Sequence, residues 1–175
     1  MSKGTKIKRS RASRIAAALI DSLPAGLVTV VGGSIRRGRQ LVGDVDLAIG
    51  YKSARAAQRL NDLLGERFGY LRTKPDRARR FFDFRGVRIN IWDVPVKQLG
   101  PAVLFVTGSG QFNMAMRVVA KRQGLLLNQY GLFHRKDRMP ALSELANEEA
   151  LFDRLGLTYV EPADRDESWF AEWNQ

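Results

Sequence analysis

The spacing of apolar residues along the chain predicts short strands alternating with amphipathic helices. Leu27 to Val31 is an apolar, largely β-branched run, which predicts a strand. In residues 42–49 two carboxylates alternate with apolar residues, which predicts a second strand. Apolar residues recur at helical spacing over residues 10–22 and 53–68, which predicts a helix in each segment. The carboxylate strand is thus flanked by elements that can bury its apolar side.

A β-hairpin completes the predicted first lobe. Phe81 to Phe84 and Val87 to Trp92 lie on either side of Arg85-Gly86, a typical hairpin arrangement. Strand, helix and hairpin in this order predict a mixed sheet with helices on one side, an α/β fold of the α+β type. Residues 9–100 form this domain, and the basic residues 1–8 predict a flexible arm.

Residues 101–175 predict a smaller C-terminal lobe. Thr107-Gly108-Ser109 predicts the start of a helix that Gly124 ends, and residues 143–155 predict another helix. The first of these has an apolar face of Phe112, Met116 and Val119 and a polar stripe of Asn113, Arg117 and Lys121. Trp169, Phe170 and Trp173 have helical spacing, which favours packing over binding.

Composition points to a polyanionic partner. The 175 residues suffice for one domain or two small lobes, and 29 Lys and Arg against 18 Asp and Glu give a net charge of +11. Nucleic acid or an acidic membrane surface would be such a partner; the alternative explanation of the charge is a basic surface that serves solubility alone.

Composition also excludes several kinds of site. With no cysteine and only His134, thiolate and histidine metal sites are excluded. No apolar run approaches the ~20 residues of a membrane span, and we expect no signal peptide and an intracellular location.

Two carboxylates two residues apart form the main candidate site. Asp44 and Asp46 leave the same side of an extended strand, and paired carboxylates suit Mg²⁺, which shares its other positions with phosphates and water. Ten residues upstream, the turn at Gly33-Ser34 offers backbone N–H groups to a phosphate. Together these features indicate nucleotidyl transfer, whereas the alternative for the carboxylates is a solvated strand end.

Five separated segments, spread over about residues 10–165, carry a resemblance to a known family. They are Gly33-Ser34-Ile35-Arg36-Arg37-Gly38; Gly43-Asp44-Val45-Asp46; Phe105-Val106-Thr107-Gly108-Ser109 with Phe112-Asn113 and Met116-Arg117; Gly124 with Leu127-Asn128-Gln129-Tyr130-Gly131-Leu132; and Phe152 to Arg165. The chain resembles the X family of DNA polymerases, which are small repair polymerases. The first two segments alone would mark only the nucleotidyltransferase superfamily. The resemblance implies a nucleotidyltransferase-type palm followed by a nucleotide- and template-binding lobe.

The resemblance also implies residue roles. Ser34 and Arg37 would hold the β- and γ-phosphates beside Gly33 and Gly43. Asp44 and Asp46 would ligate both Mg²⁺ ions of a two-metal nucleotidyl transfer, and Mn²⁺ would substitute for Mg²⁺. Phe105, near Gly108, would pack on the nucleotide sugar, although a core position is the alternative. Asn113 would reach the minor-groove edge of the incoming base, and Arg117 the template strand. Further DNA contacts are predicted for Lys121, Lys8, Arg9 and Arg11, while Arg36 more simply supports the fold. Gly43 has a plain turn glycine as its alternative.

The chain departs from the family pattern at Asn90. The family places a third catalytic carboxylate here, which accepts the proton of the primer hydroxyl; asparagine keeps the shape but not the charge. Asp93, three residues on, faces the other way unless a bulge turns it inward, and Asp83 is a weaker substitute. We therefore expect weakened or abolished activity, one metal bound well and a second bound poorly. The sequence leaves open whether Asn90 is natural or introduced.

Three functions remain open at this point. The first is a template-directed DNA polymerase that fills short gaps, acting as a monomer on gapped or primed DNA and deoxynucleoside triphosphates. The second is a nucleotidyltransferase acting on RNA ends or small molecules. The third is a non-catalytic DNA- or nucleotide-binding protein. Because the first 30 residues leave no room for the N-terminal lyase lobe of many relatives, the sequence predicts no lyase activity, as in the smallest viral members.

Overall fold

The computed structural model describes residues 6–69, 79–165 and Ser168 and contains a mixed α/β arrangement. The strands are β1 (Ile7–Lys8), β2 (Leu27–Val31), β3 (Leu41–Val42), β4 (Asp44–Tyr51), β5 (Arg79–Phe84), β6 (Val87–Pro95), β7 (Leu125–Asn128) and β8 (Gly131–His134). The helices are α1 (Arg9–Ile20), α2 (Gly33–Arg36), α3 (Ala54–Phe68), α4 (Leu99–Thr107), α5 (Gly110–Arg122) and α6 (Glu148–Leu155), with 3₁₀ turns at Val96–Gln98 and Pro162–Asp164.

A four-stranded mixed sheet in the order β2-β4-β6-β5 is the centre of the first lobe. β4 pairs antiparallel with β2 and parallel with β6, and β5 and β6 form the predicted hairpin. Alternate residues of each strand point to opposite faces. The odd-numbered apolar residues of β4 and β6, Val45, Leu47, Ile49, Ile89 and Ile91, are fully buried under α1 and α3. This core fixes the opposite direction for Asp44, Asp46 and Asn90.

The second face of the sheet is covered by α4 over only part of its area. Ala48, Trp92 and Val94 pack there against Val103 and Val106 of this helix. The sequence prediction of helices on one side alone was wrong, because α4 was not recognised. Where α4 ends at Thr107, the face stays open, and the carboxylates lie in the open part.

The second lobe packs around α5. Its buried face includes Phe112, Met116 and Val119, as predicted, and they join Leu151 and Phe152 of α6 in one apolar cluster. Ser109 accepts a hydrogen bond from the Phe112 backbone N–H at 3.2 Å, so it caps α5 as a helix-starting residue does. Both boundaries of this predicted helix are confirmed within two residues.

Several predicted boundaries need correction. Residues 1–8 are not an arm throughout, since Ile7 and Lys8 pair with β3; a two-residue strand carries no readable periodicity. At α2 the helix begins at Gly33, and Gly32 is its capping residue. The helix expected over 143–155 begins at Glu148. Trp169, Phe170 and Trp173 lie outside the described residues.

Within the described residues, no helix has the length and apolar character needed to cross a bilayer.

Candidate active site

The paired strands β4 and β6 bring three polar side chains to one point. In their register Asp44 lies beside Arg88, and Asp46 lies beside Asn90. Because aligned residues of neighbouring strands point to the same face, both carboxylates and the amide share the open face of the sheet. Asn90 is 2% exposed, whereas both aspartates are partly exposed to the cleft. Position 90, where the resemblance implies a third carboxylate, therefore lies beside the two aspartates.

The amide of Asn90 bridges the two carboxylates. Its Nδ2 donates to Asp44 Oδ2 and to Asp46 Oδ1, each at 3.0 Å. The N–H groups thus place partial positive charge between two negative groups, which offsets part of their mutual repulsion. The two carboxylates converge on one point, and sequence reasoning did not foresee this bridge.

The turn at Gly33 lies directly against Asp46. Gly33 has φ +60°, and a Cβ built on it would lie 2.1 Å from Asp46 Oδ2. Only glycine fits this approach, since a side chain would both strain the backbone and displace the carboxylate. Ser34 follows on the cleft wall, inside α2, and the Gly32 backbone N–H donates to the Asp46 carbonyl at 2.7 Å. The turn and the carboxylates are thus held as one unit.

Replacing Gly33 by alanine is expected to weaken divalent-cation binding at Asp46 by at least tenfold, because the new methyl group must push the carboxylate aside. Isothermal titration with Mn²⁺ measures this affinity. Gly69→Ala is the matched control, since Gly69 has φ +64° with open space around it and tests the backbone strain alone. Equal affinities for the two variants would contradict the argument.

Arg37 is held at the junction of the two lobes. Its Nη1 donates to the carbonyl of Thr107, and Gly108 approaches the same nitrogen so closely that a Cβ there would lie 3.0 Å away. Burial, followed by the positive charge of Arg39, lowers the pKa of the Arg37 guanidinium from its usual value. Its Nε is buried without a partner among the described residues. A bound anion would relieve both penalties, so this side chain is suited to a phosphate.

The neighbouring Arg36 has a structural role that connects the lobes. Its Nη1 donates to Thr107 Oγ1 at 2.8 Å and to Glu148 Oε2 at 2.6 Å. Glu148 also accepts a hydrogen bond from Arg165 through Oε1 at 2.6 Å. The support role predicted for Arg36 agrees with these contacts. Its partner Glu148, and the pairing of Glu148 with Arg165, were missed, since 112 residues separate Arg36 from Glu148 and no local pattern links them.

The opposite wall of the cleft comes from α4 and α5. Asn113 Nδ2 donates to the Phe105 carbonyl at 2.9 Å, and the Arg117 guanidinium lies 5.7 Å from the Phe105 ring centroid. Trp92 supports the same ring edge-on at 5.4 Å. Within the part of the chain that the structure describes, Asn113 Oδ1 is buried without a hydrogen-bond partner. The half-buried Phe105 therefore faces the cleft rather than the core alone.

These walls enclose one open cleft of about 410 Å³. Its lining combines the phosphate turn, the carboxylates and the second wall: Gly33, Ser34, Arg37, Asp44, Asp46, Phe105, Val106, Gly108, Gly110, Asn113 and Arg117. Gly43 lies beside it, and a Cβ there would meet open space, so nothing in the packing requires glycine at this position. The cleft brings the predicted nucleotide-binding residues other than Gly43 together with the carboxylates.

The remaining predicted DNA contacts are exposed residues outside the lining of the cleft. Lys121 is exposed one turn beyond Arg117 on α5. Lys8 lies on β1, which pairs with β3 two residues before Asp44, and Arg9 and Arg11 are exposed at the start of α1. Their exposure leaves the side chains accessible to a polyanion.

Neither substitute carboxylate reaches the site. Asp93 is buried on the opposite face, where Arg80 donates to both its oxygens at 2.8 and 2.9 Å. Asp83 Oδ1 accepts the Gly86 backbone N–H at the hairpin end. Neither takes the place of a carboxylate at position 90.

The donor set at the two aspartates fits a divalent cation such as Mg²⁺. Asp44 Oδ2 and Asp46 Oδ1 lie close enough together to accept hydrogen bonds from the same nitrogen, Asn90 Nδ2. Mg²⁺ prefers hard oxygen ligands such as these carboxylates. No cluster of three or more acidic or histidine side chains is placed for a metal within residues 6–69 and 79–165. The described residues thus offer two carboxylates at this point as candidate ligands for a divalent cation.

Comparison with known proteins bears on this geometry. A family model described as DNA polymerase beta thumb matches residues 102–166, which span α4 to the closing 3₁₀ turn. DNA polymerase lambda of Rattus norvegicus is 30% identical over 167 residues, covering 81% of this chain and 29% of that protein. Human DNA-directed DNA/RNA polymerase mu is 34% identical over 47% of this chain and 17% of its own length.

A viral relative matches over nearly its whole length. Repair DNA polymerase X of African swine fever virus is 28% identical over 180 residues, covering 93% of this chain and 96% of that protein. The chain spans less than a third of the lambda and mu relatives, so their further segments have no counterpart in the match. The thumb match and these relatives all point to one family of enzymes: the chain belongs to the X family of DNA polymerases.

Proposed function

We propose that the chain is a template-directed DNA polymerase that adds deoxynucleotides to a primer 3′-hydroxyl, most simply in short gaps during DNA repair. The observation that supports this most is the single cleft that unites Asp44 and Asp46 with a buried arginine and the Phe105–Asn113–Arg117 wall. A phosphate site alone would serve many transferases. A second wall that can contact base and template is what a template-directed enzyme needs.

The triphosphate would bind at the turn and α2. Arg37 offers a guanidinium fork to the β- and γ-phosphates, and backbone N–H groups at Gly33 and Ser34 offer further donors. Because Arg37 is held by the Thr107 carbonyl, its position depends on the junction of the two lobes. Nucleotide binding would therefore couple the phosphate turn to the start of α5.

Transfer requires the primer hydroxyl oxygen to bond to the α-phosphorus while the bond to the β-phosphate oxygen breaks and pyrophosphate leaves. Asp44 and Asp46 would hold Mg²⁺, or Mn²⁺ in its place, which supplies positive charge that favours deprotonation of the hydroxyl and offsets the phosphate charge. A carboxylate at position 90 would accept the hydroxyl proton. Asn90 has no group that accepts it, which predicts slow turnover.

The second wall would test base pairing. Asn113 would reach the minor-groove edge of the incoming base, where every base pair presents an acceptor, so this contact would check pair geometry without reading sequence. Its Nδ2 is engaged by the Phe105 carbonyl in the absence of a nucleotide, and a base would compete for this donor. Phe105 would then limit space at the sugar, and Arg117 would contact the template strand.

A second candidate is a DNA- or nucleotide-binding protein without turnover. The bridge from Asn90 to both carboxylates favours it, since the amide stabilises their proximity without a catalytic base. The two candidates differ in whether a carboxylate at position 90 gives activity. In either case the partners would be DNA and nucleotides, and we expect a monomer working inside the cell.

The experiment that tests the proposal measures addition of each of the four deoxynucleotides opposite each of the four template bases in a one-nucleotide gap, with Mg²⁺ and with Mn²⁺. A polymerase adds mainly the complementary nucleotide in all four cases. Addition that ignores the template base would refute the proposal in favour of a transferase acting on ends or small molecules. DNA binding without addition, even with a carboxylate at position 90, would favour the binding protein.

Neutralising Lys121 tests the DNA contact along α5. Lys121→Gln is expected to lower the slope of log affinity against log salt concentration by about 0.9, the value for one lost phosphate contact on duplex DNA. Fluorescence anisotropy with labelled gapped DNA measures it. Lys52→Gln is the control, because Lys52 is exposed just beyond the far end of β4 from Asp44. An unchanged slope for Lys121→Gln would remove this residue from the DNA-binding surface.

A further inference from the structure

A basic turn follows β8 in the second lobe and ends at Pro140. Over residues 134–139 it carries three cations, Arg135, Lys136 and Arg138, and one acidic residue, Asp137. All four of these side chains are exposed. Among the described residues, none of the three cations has an ion-pair partner. Their charge is therefore available to a binding partner.

Hydrogen bonds hold the basic turn in one shape. The His134 N–H donates to the Met139 carbonyl at 2.8 Å, and the Arg138 N–H donates to the His134 carbonyl at 3.0 Å. The carboxylate of the turn is used within it, since Asp137 Oδ1 accepts the Met139 N–H at 2.9 Å. A backbone that is already ordered lowers the entropic cost of binding a ligand with the side chains it carries.

The basic turn is attached to the outer end of α5. The Arg135 N–H donates to the Gly124 carbonyl at 2.9 Å, just after the helix ends. Gly124 follows Arg117 by seven residues, about two helical turns, and Lys121 lies between them on the same side of the helix. Arg117 lines the cleft, whereas Lys121 is exposed outside it. A row of cations therefore runs from the cleft along α5 to the basic turn.

The length of this row fits the backbone of a nucleic acid. The nine residues from Asn113 to Arg122 advance about 14 Å at 1.5 Å per residue. At about 3.4 Å per nucleotide along one strand of a duplex, this distance corresponds to about four nucleotides. A single small anion would meet only one part of such a row. A flat acidic membrane surface would contact the turn but could not follow the row into a cleft.

We propose that the basic turn binds the phosphate backbone of the DNA template strand, about four to six nucleotides from the base pair that forms in the cleft. The template is the strand concerned because the row begins at Arg117, which contacts the template under the proposed function. The inference rests on that function for this reason. Arg135 and Lys136 supply two of the phosphate contacts, and the turn extends the DNA-binding surface beyond the cleft.

Neutralising the turn tests this surface in the full chain. The double variant Arg135→Gln, Lys136→Gln should lower the slope of log affinity against log salt concentration by about 1.8, the value for two lost phosphate contacts on duplex DNA. Fluorescence anisotropy with labelled one-nucleotide-gapped DNA, without added nucleotide, measures it. The swap Arg135→Lys, Lys136→Arg keeps both charges and should keep the slope.

The matched control removes the same charge elsewhere. Arg55→Gln with Arg59→Gln changes two exposed positions of α3, the helix that packs on the sheet face opposite the carboxylates. This pair should leave the slope unchanged. A slope that Arg135→Gln, Lys136→Gln does not lower, or that the control pair lowers equally, would overturn the proposal. Circular dichroism shows whether each variant is folded.

Uncharged methylphosphonate linkages locate the contact on the DNA. They replace the template phosphates four to six nucleotides from the gap, first on one side and then on the other. On one of these two substrates the unchanged chain and the turn variant should have equal slopes, and on the other they should still differ. A difference that persists on both substrates would place the contact elsewhere and refute the proposed position.

Two further outcomes separate this inference from its alternatives. Binding to phosphatidylserine vesicles that depends on the basic turn, with no change in the DNA slope, would assign the turn to a membrane and overturn the proposal. Template-directed addition by the Asn90→Asp chain tests the polymerase function separately. Its failure with a turn-dependent slope refutes that function and leaves a DNA-binding turn, whereas its success with an unchanged slope refutes only the turn.

Discussion

Replacing Asn90 by aspartate is expected to raise the rate of single-nucleotide addition by about 10²- to 10⁴-fold, the usual contribution of a positioned general base. The new carboxylate would lie beside Asp46 in the register that Asn90 has now. It would supply the missing proton acceptor and a third charged oxygen ligand. Pre-steady-state addition on a gapped duplex, at saturating nucleotide and Mg²⁺, isolates the chemical step.

The same substitution should make the fold depend on divalent cations. At present Asn90 donates to both carboxylates at 3.0 Å; an aspartate replaces those donors by a third negative group. The variant should therefore melt at a lower temperature than the unchanged chain without Mg²⁺ and gain more from its addition. Asn147→Asp is the control, because it adds the same charge at the start of α6, where the side chain accepts the Ala150 N–H as a cap.

Equal addition rates for the unchanged chain and Asn90→Asp would contradict this account of position 90. Asp93 would not explain such a result, since Arg80 holds both its oxygens on the other face. A rate increase that Asn147→Asp reproduced would point instead to a general effect of charge.

Replacing Glu148 by glutamine is expected to lower the free energy of unfolding by about 3–5 kcal/mol, the cost of breaking a buried ion pair from one side. Glu148 is 2% exposed and Arg165 is fully buried. Glutamine keeps one acceptor oxygen but leaves the buried Arg165 charge without its counterion. The rings of Phe112, Phe152 and Tyr159 around Arg165, at 5.2–5.6 Å, compensate only in part.

Denaturant titration measures this loss of unfolding free energy. Glu149→Gln is the control, because Glu149 is exposed in the same helix turn. Its substitution should change the unfolding free energy by no more than about 0.5 kcal/mol. Nucleotide affinity should also fall in Glu148→Gln, since Arg36 loses its partner beside Thr107, whose carbonyl holds Arg37. If the two variants were equally stable, the buried Glu148–Arg165 ion pair would not stabilise the fold.

The elements that carry the chemistry were predictable because their patterns are local. Asp44 and Asp46 stand two apart among apolar residues that a buried strand requires, and the face they share follows from strand geometry. The hairpin around Arg85-Gly86 and the helix after Ser109 carry their own turn and cap signals. In each case a few neighbouring residues decide the conformation.

The rest depends on contacts between distant segments. α4 escaped prediction because it is apolar on nearly every side and contains Gly100 and Pro101, which ordinarily suggest a break. Gly100 is needed there for close packing, since a Cβ would lie 2.1 Å from the Asn147 carbonyl oxygen. The Asn90 bridge and the Arg36–Glu148–Arg165 network likewise join residues far apart in the chain, which no periodicity reveals.

Under the proposed function, this cleft selects a nucleotide by its pairing with a template. The decisive measurement is the equilibrium affinity of the unchanged chain for each of the four deoxynucleoside triphosphates on gapped DNA, made in the absence of turnover with a primer that ends in a 3′-deoxynucleotide. The complementary nucleotide should bind most tightly for every template base, and Asn113→Ala should reduce this preference. Equal affinity for all four nucleotides, or an affinity that DNA does not change, would refute selection by the template.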